Sequence, residues 1–225
     1  LFVALLATTC LWAQRFQVGD LYYKITSETT AEVTCSVDDY YDYYFNYNYE
    51  YLTSVTIPST VTYEDYPYIV TGISDKAFYN ATSLTSITIP KTVTSIGRNA
   101  FGNTDIYNNE ANWDGDVLYI NNCLVATKAA EISDEWMDGD GYGHVVYTGG
   151  LSGAYTVKNT TRVIAACVFE GCENLTSVTI PDNVTNIGGG LFYDCTSLTS
   201  VVLPKNITSL SAHSDQTLMM SYPTG

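Results

Sequence analysis

Short runs of alternating apolar and polar residues, each closed by a proline, return along this chain at a fixed interval. In Leu175-Thr176-Ser177-Val178-Thr179-Ile180-Pro181, Val178 and Ile180 face one way and Thr179 the other. That alternation predicts a short strand with one buried side. Pro181 has no backbone donor and ends the strand. Val184 and Ile187 then point inward on a second short segment, and Phe192 fills the interior before Leu198 restarts the run as LTSVVLPKNITSL. Phe169 and Phe192, Cys172 and Cys195, Leu175 and Leu198, and Pro181 and Pro204 are each 23 positions apart. A period of this length predicts a solenoid whose coils stack like side chains over like, in parallel register, about 4.8 Å apart.

The repeat extends upstream. Leu84 to Pro90 leads to Val93, Ile96, Ala100 and Phe101, and Leu52 to Pro58 leads to Val70, Ile73, Ala77 and Phe78. The first of these coils is longer, with an insertion at 61–69 in which Tyr63-Glu64-Asp65-Tyr66-Pro67-Tyr68 reads as the turn of a hairpin. A degenerate copy places Tyr155, Val157, Ile164 and Phe169 one period before Val178, Ile180, Ile187 and Phe192. The few apolar side chains of one coil cannot offset the entropy of ordering its backbone, so stacking is obligatory.

The series Leu-x-x-Val-x-Ile-Pro-x-x-Val-x-x-Ile, then Ala-Phe or Leu-Phe, then Cys, resembles the 23-residue leucine-rich repeat of BspA-like bacterial surface proteins. The resemblance spans roughly Leu52 to Leu210. It implies a mainly β repeat solenoid with short parallel strands, and a role in adhesion to host proteins or to other cells. Ala81 and Asn103 stand where later copies carry Cys, so that Cys is not essential to the fold. The repeat is lost from Ile106 to Leu151. There Val117 to Ile120, Asn121-Asn122 and Cys123 to Ala126 read as a hairpin with a two-residue turn, followed by an acidic, Gly-rich loop over Glu131 to Gly150.

Three segments follow. Residues 1–13 read as a signal peptide lacking its start, with an apolar run at Leu1 to Ala7 and a cleavage site after Ala13. The rival reading makes Cys10 a lipoprotein acylation site, which Thr9 before it fits poorly. Residues 14–51 form an N-terminal β cap, with strands at Leu21 to Ile25 and Ala31 to Cys35 shielding the first coil's edge. Residues 52–225 are the solenoid, expected to continue past Gly225.

Composition narrows the partners. Net charge is −15 and pI near 4.1, which excludes binding to a phosphate backbone and disfavours an anionic membrane. The N-terminal apolar run is too short for a transmembrane helix. His144 and His213, the only histidines, lie in no motif with a nucleophile or carboxylate, so no catalytic activity is expected. Asp138-Gly139-Asp140-Gly141 fails the calcium-loop pattern at Tyr142 and Gly149. No cofactor or metal is expected. Of the six cysteines, Cys172 and Cys195 stack on adjacent coils and a bridge between them is open, though the odd number left after Cys10 favours free thiols.

Two candidate contact surfaces remain. Tyr40, Tyr41, Tyr43, Tyr44, Tyr47 and Tyr49 crowd one segment; they form either an exposed aromatic patch or, alternately, packing against the cap. The outward strand residues Thr56, Thr88, Thr179 and Val202 form one expected ladder. Both point to an exported, non-catalytic module binding an extracellular protein. The alternatives are a glycan-binding surface module and the targeting region of a larger secreted enzyme.

Overall fold

A computed structural model describes residues 14–35, 49–128, 150–207 and 209–210. The described chain opens with three antiparallel strands, β1 (Arg15–Val18), β2 (Leu21–Ile25) and β3 (Thr30–Thr34). Leu21, Tyr23 and Ile25 are buried and their neighbours are not, the period-2 pattern that makes β2 legible. β1 escapes the sequence reading because Phe16 is its only inward residue.

The first coil begins with β4 (Ser54–Thr56), and the hairpin expected within it is present as β5 (Thr60–Tyr63) and β6 (Tyr66–Ile73). Glu64 and Asp65 both have positive φ (49° and 67°), the geometry of a two-residue turn that suits right-twisted strands. The hairpin is more than a decoration. β3 pairs with β6 in parallel, β5 packs against β1, and the sheet β1-β2-β3-β6-β5 curls around Phe16. That ring stacks on Tyr63 at 4.4 Å and on Tyr23 at 5.5 Å. Gln14 Nε2 donates to the Tyr63 hydroxyl at 2.7 Å. The insertion therefore completes the cap.

Two sets of parallel strands build the coils. The second coil contributes β7 (Ser86–Thr88) and β8 (Ser95–Ile96). The third contributes a helical turn α1 (Asp105–Asn108), β9 (Trp113–Asp114), β10 (Val117–Ile120) and β11 (Cys123–Thr127). The later coils give β12 (Gly153–Thr156), β13 (Val163–Ile164), β14 (Leu175–Thr179), β15 (Asn186–Ile187), β16 (Ser200–Val202) and β17 (Ser209–Leu210). Like lies over like: Val55 pairs with Ile87, Ile73 with Ile96, Tyr155 with Val178 and Val201, and Ile164 with Ile187 and Leu210.

The phenylalanines stack as the period requires. Phe78 and Phe101 are stacked 5.7 Å apart with nearly parallel planes, Phe169 and Phe192 are 5.6 Å apart, and all four belong to one continuous core. Each ring is held by two left-handed residues, two positions before it and two after. These are Lys76 and Asn80 around Phe78, Asn99 and Asn103 around Phe101, Cys167 and Gly171 around Phe169, and Gly190 and Asp194 around Phe192. Asn, Asp and Gly dominate because they adopt positive φ at low cost. This register also corrects one sequence assignment. Thr104, not Asn103, occupies the place of Cys172 and Cys195, and it is equally buried.

Thr104 explains where the third coil departs. Its hydroxyl donates to Phe101 O at 2.8 Å and accepts from Tyr107 N at 3.1 Å, capping α1 where a strand would otherwise begin. Ile106 is buried and its N–H donates to Leu84 O at 2.9 Å, so the chain stays bonded to the second coil at residue 106. In regular coils the N–H after the first strand donates to the next coil's main chain, as Ile57 does to Thr88 O and Ile180 to Val202 O. At Ile89 that acceptor is the side-chain Oδ1 of Asn121, at 2.7 Å, in the left-handed turn of the β10–β11 hairpin. Asn121→Ala is expected to cost about 1–3 kcal/mol by orphaning this donor, while Asn121→Asp keeps most of the stability. Urea denaturation of the two variants checks it; equal losses would mean the turn, not the acceptor, matters.

The fourth coil then steps across to the second. Ala166 N donates to Ile96 O at 2.9 Å, Arg162 Nη1 and Nη2 donate to Val93 O and Pro90 O at 2.6 and 3.1 Å, and Arg98 pairs with Glu170 at 2.7 Å. One inward position is imperfect. Thr161 sits one period before Val184, is fully buried, and its hydroxyl finds no partner. Thr161→Val removes that hydroxyl at constant shape, and about 1–3 kcal/mol of added stability is expected. A lower melting temperature would refute the assignment.

Candidate functional site

The outward face of the first-strand ladder is the candidate site. In β4 and β7 the pattern exposed-buried-exposed sends Ser54, Thr56, Ser86 and Thr88 to solvent. In β12, β14 and β16 the corresponding residues are Ala154 and Thr156, Ser177 and Thr179, and Ser200 and Val202; Ser177 is half-buried and the rest exposed. Strand register aligns them into two rows. Thr56, Thr88, Thr179 and Val202 do stand outward as the sequence suggests. They do not form one ladder, however. β4–β7 and β12–β14–β16 are separate sheets, because the third coil supplies a helical turn and a hairpin between them.

The hydroxyls are tethered along the ladder direction. Ser86 Oγ donates to Ser54 Oγ at 3.0 Å, Thr85 Oγ1 to Thr53 O at 2.9 Å, and Thr199 Oγ1 to Thr176 O at 3.1 Å. The row two positions before the threonines, serine in every strand except β12 where it is Ala154, lies in the same alternation that reveals the threonines.

At the break lies an aromatic and charged cluster that sequence reasoning missed. The phenols of Tyr119 and Tyr155 share a hydrogen bond of 2.8 Å. Lys158 Nζ lies 4.4 Å from the Tyr119 ring centroid and pairs with Asp114 at 2.7 Å. Nearby, Lys128 lies over Trp113 and pairs with Glu110. The signal was Tyr155, a phenol at an inward slot that Val178 and Val201 fill in the following coils. Its hydroxyl must reach a polar partner, and burial together with Tyr119 pushes its pKa up.

Tyr49 is a correction. It is 2% exposed, its ring packs 5.1 Å from Phe78, and its hydroxyl accepts from Tyr22 N at 2.8 Å and donates to Thr34 O at 2.7 Å. Both hydrogen-bonding valences are used inside the cap, leaving nothing for a ligand. Tyr40, Tyr41, Tyr43, Tyr44 and Tyr47 lie outside the described residues, as do Cys10, Asp138, Asp140, His144 and His213.

Cys123, Cys167, Cys172 and Cys195 form no disulfide among the described residues. Cys195 Sγ donates to Phe169 O at 2.9 Å, while the Cys172 sulfur faces the Thr127 hydroxyl at 3.7 Å. Burial pushes the thiols up, Cys123 to about 11 and Cys167 and Cys195 to about 12, which leaves little nucleophilic thiolate near neutral pH. Among the described residues no three His, Cys, Asp or Glu side chains converge to hold a metal, and no helix is long and apolar enough to cross a membrane.

The stacked strands and the phenylalanine column define a leucine-rich repeat solenoid. The chain belongs to the BspA type leucine-rich repeat family, whose model matches in six copies over residues 38–126 and 152–215. The match runs to residue 126 and resumes at 152. No enzyme family is indicated. The chain is similar to a leucine-rich cell surface protein of Faecalibacterium prausnitzii A2-165, at 16% identity over 87% of this chain and 78% of that one, with a TM-score of 0.32. It is also similar to a leucine-rich repeat protein of Bacteroides capillosus ATCC 29799, at 20% identity, 88% and 99% coverage and a TM-score of 0.34. A leucine-rich repeat protein of T. pallidum gives 17% identity, 85% and 84% coverage and 0.32. Family membership stands on the repeat match, not on these likenesses. A search of curated proteins finds no match.

Proposed function

We propose that this chain is an exported, non-catalytic binding module that mediates contact with other macromolecules at a bacterial surface. The observation that carries this reading is the pair of exposed hydroxyl rows, held in register by the stacked coils. Such a surface acts by area and repetition and needs no cofactor. Export is supported by the apolar run at Leu1 to Ala7 and the small residue at Ala13. Buried, protonated thiols suit a protein whose role does not depend on cysteine chemistry.

The test is binding of the purified chain to immobilised matrix proteins, to epithelial cells and to other bacteria. Saturable binding that weakens when Thr56, Thr88 and Thr179 are replaced by lysine is expected. Binding that is absent throughout, or indifferent to those replacements, would defeat the ladder as the contact face. The tyrosine segment is the second proposed contact: loss of binding on replacing Tyr43, Tyr44 and Tyr47, with the ladder intact, would move the site there. Protease treatment of intact cells, followed by detection of the chain, tests its surface location.

A further inference from the structure

We infer that the ligand of the ladder face is a neutral, extended, β-linked glycan lying across β12, β14 and β16, about one sugar to each coil. This deepens the proposed binding role and rests on it. The chain carries 24 acidic and 9 basic side chains, yet none of the ladder strands β4, β7, β12, β14 and β16 contains an Asp, Glu, Lys, Arg or His. Charged side chains stand beyond the strand ends, where Lys158 is paired with Asp114 and Lys205 with Asp182, so the strands themselves offer a charged partner no counter-charge. A sulfated or carboxylated polymer would in addition meet the repulsion of a body with net charge −15. A neutral polymer meets neither obstacle.

The chemistry of the face is that of a sugar's own surface. Thr156, Thr179 and Ser200 offer hydroxyls that both donate and accept, and the threonine methyls with Val202 (53% exposed) offer apolar patches for sugar C–H groups. The two rows, Thr156-Thr179-Val202 and Ala154-Ser177-Ser200, each repeat at the parallel strand spacing of about 4.8 Å, close to the advance of an extended β-linked chain per sugar. The stacked backbone fixes the array before binding, so little main-chain entropy remains to be lost. Among the described residues the ladder runs unbroken over the three coils of β12, β14 and β16, whereas the Tyr119–Tyr155–Lys158 cluster interrupts the path toward β7.

The experiment titrates the whole chain with neutral β-linked gluco-oligosaccharides of one to six units, by calorimetry, at low and at molar salt. Affinity is expected to climb to the trisaccharide and then level off, and to change less than twofold with salt, since no ion pair forms. The double variant Thr156→Val, Thr179→Val, checked for folding by circular dichroism, should bind at least tenfold more weakly. Thr60→Val with Thr62→Val, exposed on the cap hairpin outside both ladder sheets, should bind as the parent does. Failure of every neutral oligosaccharide to bind overturns the inference, as does binding that continues to rise with length past six units. If a protein ligand binds instead and the Thr156, Thr179 variant abolishes it, the glycan is wrong and the ladder face stands. If no ligand responds to that variant, both readings fall.

Discussion

Phe169→Ala is expected to lower the stability of this chain by about 3–5 kcal/mol, the largest loss from any single truncation in the solenoid. The ring is fully buried, lies 5.6 Å from Phe192 with the planes 5° apart, and meets Tyr155 edge-on at 5.9 Å. Removing it leaves a void that the flanking left-handed residues Cys167 and Gly171 prevent the backbone from closing. The site also matters by position. Phe169 belongs to the coil that steps across the irregular third coil to bond with Ile96, so its loss loosens the join between the two regular stretches. In a one-dimensional stack each interface carries the cooperativity of the whole. Urea unfolding should therefore show a lower midpoint and a broadened or two-phase transition. A loss below about 1 kcal/mol would mean that the ring is not packed between coils.

Gly188→Ala should be nearly as damaging. A Cβ built there would lie 2.2 Å from Ala166 N and 2.4 Å from its Cα, so it meets the main chain of the previous coil rather than a side chain able to turn aside. At Gly97, one regular coil after Ile73, the same atom would lie 2.3 Å from Asp75 N. Ser74 and Ala165 hold the equivalent slot and tolerate a Cβ because their neighbours differ: Ser74 N bonds to the cap at Val33 O, and Ala165 N to the hairpin at Leu124 O. Glycine is thus demanded where one true coil lies directly on another. Overpacking of this kind costs about 1–3 kcal/mol, and the upper end is expected because backbone must move. Gly115→Ala is the contrast: nothing lies within 4 Å of its Cβ, and only its positive φ of 62° is strained. That strain is worth about 1–2 kcal/mol. Thermal melts of the three variants decide; a Gly188→Ala protein as stable as its parent would show that the coils are not in this contact.

Parts of the fold were legible for a simple reason. Val178, Ile180, Ile187 and Phe192 recur one period after Tyr155, Val157, Ile164 and Phe169, and a side chain that must be buried in every coil leaves its period in the sequence. Both hairpins were readable too, since Asp65 and Asn121–Asn122 are residue types that tolerate left-handed turns. The outward threonines were visible as the other half of the strand alternation. Composition leaves Tyr49 open between packing and solvation, because the acceptor at Thr34 and the donor at Tyr22 are distant in sequence.

The sequence by itself determined the coil: its length, its inward residues, its strand ends at proline and its acidic, uncharged-ladder surface chemistry, because each follows from local spacing and residue type. Tertiary structure alone decided how the coils join. It showed that the insertion at 61–69 closes the cap around Phe16, that Asn121 stands in for a missing strand, that the fourth coil rests on the second, and that the outward rows divide into two sheets. These are contacts between residues tens of positions apart, and they depend on which surfaces remain unpaired once the local pieces have formed. No periodicity records that choice.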